Sequence, residues 1–272
     1  CASRAGWLAL DAADNDPARF LAYLTAACQG MIGGAGSDLA DLLRSSEPPA
    51  AETVLAALIN ELAPVPDDLT LVLDDYHVIT SPAVHSALTF LLEHLPPNLH
   101  LVIATRADPP LPLARLRSRW QLVEVRAGEL RFTPEEAAAF LNRTMGLSLS
   151  SEQAAALGER TEGWIAGLQL AALSLAGRAD VDEFIRAFAG GNRFILDFLV
   201  EEVLAREPQA VQTFLLHTAV LNPFCAELCN ALTGATDGWE MLRWLEQRNL
   251  FVVPLDDQRR WYRYHHLFAD LL

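Results

Sequence analysis

The chain has 272 residues, 51% of them hydrophobic, and carries 35 acidic against 20 basic side chains, for a formal net charge of −15. That length supplies cores for two or three domains, the apolar content argues against disorder, and the negative balance repels a phosphate backbone, so this segment is not expected to grip DNA. No apolar run approaches a membrane span and no signal peptide opens the chain, which predicts a soluble, cytoplasmic protein with no membrane partner.

The chain starts at Cys1 without an initiator Met and stops at Leu272 inside an apolar helical pattern, so it reads as a piece of something longer. Its cysteines, Cys1, Cys28, Cys225 and Cys229, are too few and scattered for a disulfide framework. Cys225 and Cys229 are one helical turn apart, but no second Cys/His pair stands at ligand spacing, so both read as small core residues rather than zinc ligands.

In chain order, Ala5 to Leu10 reads as a first strand. Asp16-Pro17 then opens a helix, with the Asp as N-cap, Pro at the first helical position, and Phe20, Leu21, Leu24 and Cys28 on one face. Gly30, Gly33, Gly34 and Gly36 break it. A phosphate-cradling loop ends in a Lys and a Ser or Thr, and this stretch has no Lys, so the cluster reads as a flexible loop. After the Pro48-Pro49 turn, Glu52 to Leu62 is a second helix.

Leu69 to Leu73 is apolar except at Thr70 and stops at Asp74 and Asp75. Such a run predicts a parallel strand buried on both faces, and the carboxyl end of such a strand is where open α/β sheets bind ligands. A hydrophobic strand ending in acids is the pattern of a Walker B site, in which one carboxylate holds Mg²⁺ and its neighbour polarises the attacking water. A pair of Asp forming an ordinary turn is the competing reading. A helix from Ser81-Pro82 with a stripe of Leu88, Leu91, Leu92 and Leu95 leads through Pro96-Pro97 to a third strand, Leu99 to Thr105. The strand, helix, strand order is a parallel βαβ unit. Arg106 therefore emerges on the same sheet edge as Asp74, where it could reach a γ-phosphate or pair with Asp74 or Asp75. Leu111 to Trp120 is a short basic helix whose Arg115, Arg117 and Arg119 read as a solvated face or intramolecular contacts. Gln121 to Val125 is expected to be the last strand.

From Thr133 the pattern becomes purely helical. Thr133 and Glu136 form a capping box, and helices are expected at about 134–145, 151–160, 163–176, 181–189 and 192–206. From about Pro208 three further helices (Val211–Val220, Ala226–Leu232, Trp239–Arg248) precede a hairpin, Leu250 to Leu255 and Arg260 to Tyr264, which makes a winged helix. Its third helix mixes Glu240 and Glu246 with Arg243 and Arg248, against a DNA-reading role.

Several stretches together resemble the MalT-like branch of the STAND ATPases, the large ATP-binding LuxR-type transcription regulators. They are Trp7-Leu-Ala-Leu-Asp11 with Asp14-Asn15-Asp16-Pro17 and Arg19-Phe20-Leu21; Leu71-Val-Leu-Asp-Asp-Tyr-His-Val-Ile79; Thr105-Arg-Ala-Asp-Pro-Pro-Leu-Pro-Leu-Ala-Arg-Leu-Arg117; Glu129-Leu-Arg-Phe-Thr133; Thr161-Glu-Gly-Trp-Ile-Ala-Gly-Leu-Gln-Leu-Ala-Ala-Leu173; and Tyr264-His-His-Leu-Phe-Ala-Asp-Leu271. They occur over nearly the whole chain, in the family's order.

The resemblance implies an incomplete parallel-sheet P-loop-type ATPase core over residues 1–132, a helical lid domain over 133–207 and a winged helix over 208–272. It implies Asp74 as the Mg²⁺ acid, Asp75 as its catalytic partner, and Arg106 as the arginine that senses the γ-phosphate. Gly163 falls where related ATPases place a Gly-x-Pro motif on the adenine, although Ile165 stands in place of the Pro. His265 resembles the winged-helix histidine that holds the β-phosphate of ADP in the resting state. In this family a strand and a Gly-rich loop ending in Lys-Thr precede the Trp-Leu-Ala-Leu strand, and their absence implies weak binding of ATP or ADP. The chain would be at most a slow switch-type ATPase in an intact protein, inactive by itself. Self-association in the active state is expected, with an inducer and DNA bound only through absent carboxy-terminal parts. A nucleotide-independent interaction scaffold is the alternative. A metal-dependent hydrolase using Asp74, Asp75, His77, His265 and His266 has no ligand spacing to support it.

Overall fold

The computed structural model describes residues 4–33, 50–175, 180–188 and 193–272. Gly34, Gly36 and the Pro48-Pro49 turn lie outside the described residues. Two compact units are formed, residues 1–123 and 124–272.

The first unit is a three-stranded parallel sheet in the order β1 (Arg4–Ala9), β2 (Leu69–Asp74), β3 (Leu99–Ile103). It is crossed by α1 (Pro17–Ile32), α2 (Ala51–Leu62) and α3 (Pro82–Glu93). Helix α1 begins as its sequence dictates: the Asp16 carboxylate accepts the N–H groups of Ala18 and Arg19, each at 2.9 Å, and Pro17 occupies the first turn. It runs through Gly30 and ends at Gly33, whose φ of 76° is the left-handed C-cap conformation. The core joins Phe20, Leu24, Leu55, Leu58, Leu88 and Leu91 to Leu69, Leu71 and Leu73 of β2.

The strands are not buried on both faces. Along β2 every second residue is buried, and the opposite face presents the cross-strand row Trp7, Val72, Val102, with Trp7 64% and Val102 46% exposed. Handedness explains this. Strand order advances in one direction, so right-handed crossovers bring every connecting helix to the same face. The expected strand at Gln121–Val125 is also absent. After α4 (Leu113–Ser118) the backbone is irregular, and Val123 is 89% exposed. A strand exists only through its ladder, and no described strand forms a ladder with this stretch.

The second unit is helical up to its hairpin: α5 (Pro134–Ala139), α6 (Ser151–Arg160), α7 (Ile165–Leu175), α8 (Val181–Ala187) and α9 (Arg193–Phe198). Thr133 and Glu136 close the expected capping box on α5, and Ser150 and Gln153 close another on α6. Helix α7 starts two residues later than the sequence pattern suggested, because Glu162 and Gly163 have φ of 49° and 70° and cannot be helical. Then come α10 (Gln209–Thr218), α11 (Ala226–Thr233), α12 (Gly238–Gln247), the antiparallel pair β4 (Val252–Pro254) and β5 (Tyr262–Tyr264), and α13 (His266–Leu271). Three helices closed by a hairpin make a winged-helix element. Its core includes Phe214, Phe224, Cys229, Leu242, Tyr262 and Phe268, so Cys229 is the core residue its spacing suggested. No helix among the described residues is long and apolar enough to cross a membrane.

Candidate functional site

In the first unit the carboxyl ends of β2 and β3 lie side by side, joined by backbone bonds from Ala104 N–H to the Leu73 carbonyl at 2.9 Å and from Tyr76 N–H to the Ala104 carbonyl at 3.0 Å. This brings Asp74 and Arg106 to the ends of neighbouring strands. Asp74 is half-buried and accepts the Asp75 N–H at 3.0 Å, whereas Asp75 is exposed and left-handed, with φ of 55°. The Asp75 carboxylate stands 3.7 Å from His77 Nδ1. Both carboxylates reach solvent, which suits a hydrated Mg²⁺ held by one acid, since Mg²⁺ keeps most of its waters.

The loop that carries these acids is fixed from β1's side by Asn15. Its Oδ1 accepts the N–H groups of Thr80 at 2.6 Å and Ser81 at 2.8 Å, and its Nδ2 donates to the Val78 carbonyl at 3.0 Å. Below it, the buried Tyr76 hydroxyl is 2.8 Å from His85 Nδ1; burial pushes the Tyr76 phenol up and the His85 imidazole down. Of the arginines read as a solvated face or intramolecular contacts, all three are exposed and Arg115 pairs with Glu93, whose carboxyl is held low by that hydrogen bond. Among the described residues no group of three or more His, Cys, Asp or Glu is placed to hold a metal ion.

In the second unit the expected pair, Gly163 and His265, is brought together by residues the sequence reading did not single out. The turn Thr161-Glu162-Gly163-Trp164 meets β5 and the start of α13. His265 is 4% exposed; its Nε2 lies 3.1 Å from the Thr161 carbonyl, so Nε2 carries the proton. Its Nδ1 is buried without a partner, and the ring packs edge-on against Trp164 and Phe251. Burial pushes the imidazole's pKa down, partly countered by the Glu162 charge and the Thr161 carbonyl.

The Glu162 side chain, 7% exposed, receives both teeth of the Arg263 fork at 2.7 Å each, Arg131 Nη1 at 3.1 Å and the His266 N–H at 3.1 Å. Burial alone would raise its carboxyl, but the Arg263 hydrogen bonds, His265, the His266 N–H and the Arg263 charge outweigh it and hold the group at about 2. Gly163 is required by packing: a Cβ there would stand 2.5 Å from the Phe132 carbonyl oxygen, and Phe132 N–H donates to the Gly163 carbonyl at 2.9 Å. The only sequence signal for Glu162 was its place inside the Thr-Glu-Gly-Trp stretch; Arg263 lies 101 residues away.

The model of the MalT winged helix domain matches residues 200–272. The HTH-type transcriptional regulator MalT of Serratia proteamaculans is 37% identical over 269 residues, which is 98% of this chain and 30% of that protein. The serine/threonine-protein kinase PknK of Mycobacterium tuberculosis is 36% identical over 266 residues, 98% of this chain and 24% of that one. Among solved structures, a Walker-type ATPase of Pyrococcus abyssi superposes with a TM-score of 0.59 at 16% identity, covering 97% of this chain and 83% of that one, a likeness of fold. The chain thus spans about 30% of the MalT relatives it matches. It is homologous to MalT and PknK, and its parallel-sheet core, helical middle region and carboxyl-terminal winged-helix element have a fold like that of a Walker-type ATPase.

Proposed function

We propose, from this homology to MalT-type regulators, that the chain is the nucleotide-responsive switch region of a signal-dependent transcriptional activator, in which ATP or ADP controls self-association. The division into a nucleotide core (1–132), a lid (133–207) and a winged helix (208–272) belongs to the same proposal. The observation that carries it is that the carboxyl ends of β2 and β3 lie side by side, where α/β sheets bind ligands, with β2 running into Asp74 and Asp75 and β3 leading on to Arg106.

In this reading Asp74 would hold hydrated Mg²⁺, Asp75 would polarise the attacking water, and Arg106 would sense the γ-phosphate. In the second unit, Gly163 supplies backbone to the adenine and His265 an N–H to the β-phosphate of ADP. With Nε2 given to Thr161, His265 can donate to a phosphate only by gaining a proton on Nδ1 or by releasing that carbonyl. Inducer recognition and DNA binding are proposed for other parts of a longer protein.

Calorimetric titration of ADP with Mg²⁺ into this chain, and into a form extended at its amino end, tests the reading. Binding to the extended form supports it. No binding to either would transfer the assignment to a scaffold that keeps the ATPase fold for packing. One observation favours that second reading: the Phe132 contact accounts for the glycine at 163 without a nucleotide. Asp75→Ala should abolish signalling in the intact regulator if the switch reading holds and leave it unchanged for a scaffold.

A further inference from the structure

We infer that Glu162 is the positioning residue that seats His265, coupling the Thr161–Trp164 turn to the winged-helix hairpin so that the two move as one element. Glu162 grips the chain on both sides of the histidine, taking the Arg263 fork before it and the His266 N–H after it. Thr161, the residue preceding Glu162, takes the His265 ring proton on its carbonyl. Two adjacent turn residues therefore hold the segment 263–266, where β5 passes into α13, at three of its residues. An ordinary buried ion pair adds little net stability, because desolvation offsets the attraction. A bidentate Arg–carboxylate contact adds geometry, and here it fixes the position of one imidazole whose tautomer the Thr161 carbonyl sets.

The groups facing His265 are Glu162 on the turn, Arg131 ahead of α5 and His266 on α13. The carboxylate favours a proton on His265, and the other two oppose it. Removing the carboxylate charge should therefore both loosen the ring and make it harder to protonate. The consequence for nucleotide rests on the reading above, that His265 contacts ADP. If so, the turn assigned to the base and the histidine assigned to the phosphate are bound to one another by Glu162, and ADP meets a preassembled pair.

The test has two independent arms. In the chain itself, the His265 imidazole is titrated by NMR in the wild type, Glu162→Gln and Arg263→Lys, its resonance assigned with His265→Ala. In the amino-extended form, ADP and ATP affinities are measured for the same variants. Glu162→Gln should move the His265 titration to lower pH and weaken ADP about fivefold or more while sparing ATP. Arg263→Lys, which keeps the charge but not the fork, should weaken ADP in the same direction and covers the case in which Glu162→Gln does not fold. If His265→Ala weakens ADP while both Glu162→Gln and Arg263→Lys leave ADP binding and the His265 titration unchanged, the inference is overturned and the nucleotide reading stands. If His265→Ala leaves ADP affinity unchanged, the nucleotide reading fails, and the NMR arm alone decides whether Glu162 seats the ring.

Discussion

A carboxylate that is nearly sealed from water, yet remains ionised, must be held by its neighbours, and at Glu162 they are named: the Arg263 fork, Arg131 and the His266 N–H. Its carboxyl falls from an ordinary 4.5 to about 2, so the stabilisation is fully present above pH 4.5 and is lost as pH falls toward 2, an effect on the order of 3 kcal/mol. Acid unfolding followed by circular dichroism should show that limb in the wild type, and Glu162→Gln should flatten it. His265 adds to the same trend from higher pH: its fold favours the neutral form, so its contribution is present above the ordinary histidine range and is lost on acidification through its lowered value. At the next position, Gly163→Ala meets both a left-handed φ of 70° and the Phe132 carbonyl at 2.5 Å. It should cost roughly 1–3 kcal/mol in a denaturant melt; an unchanged midpoint would show that the turn yields freely. Asp74, Asp75 and Arg106 were legible in the sequence as residues at strand ends because a strand's end is a local signal. The Glu162–Arg263 contact was not, because no local pattern couples residues 101 positions apart.

At the scale of elements, the sheet of the first unit has a packed face and an open one. Leu71 lies in the core beneath α1 to α3, while Trp7 stands on the open face. Leu71→Ala should therefore cost about 2–5 kcal/mol, and Trp7→Ala in this chain no more than about 0.5 kcal/mol. A large loss at Trp7 in urea unfolding would mean that the open face is covered in solution. Helix starts were readable from Asp16-Pro17 and from Thr133 with Glu136, since capping chemistry is contained within a few residues. The apolar run of β2 could not reveal which face its helices would cover, because that is decided by crossover handedness and strand order. Nor could Gln121 to Val125 reveal that it lacks a ladder partner, a property of the rest of the sheet and not of the segment.

Across the whole molecule, the resemblance seen in scattered motifs corresponds to homology over 98% of the chain with MalT-type regulators and with the kinase PknK. On the proposed switch reading, the chain would respond to nucleotide through a two-state equilibrium that ATP and ADP bias by binding one state more tightly than the other. The most direct measurement is hydrogen exchange across Thr161–Trp164 and Tyr262–His266 in the amino-extended form, saturated with ADP or with a non-hydrolysable ATP analogue. The account predicts that both segments exchange more slowly together with ADP than with the ATP analogue. Equal exchange in the two states, with both nucleotides bound, would contradict it.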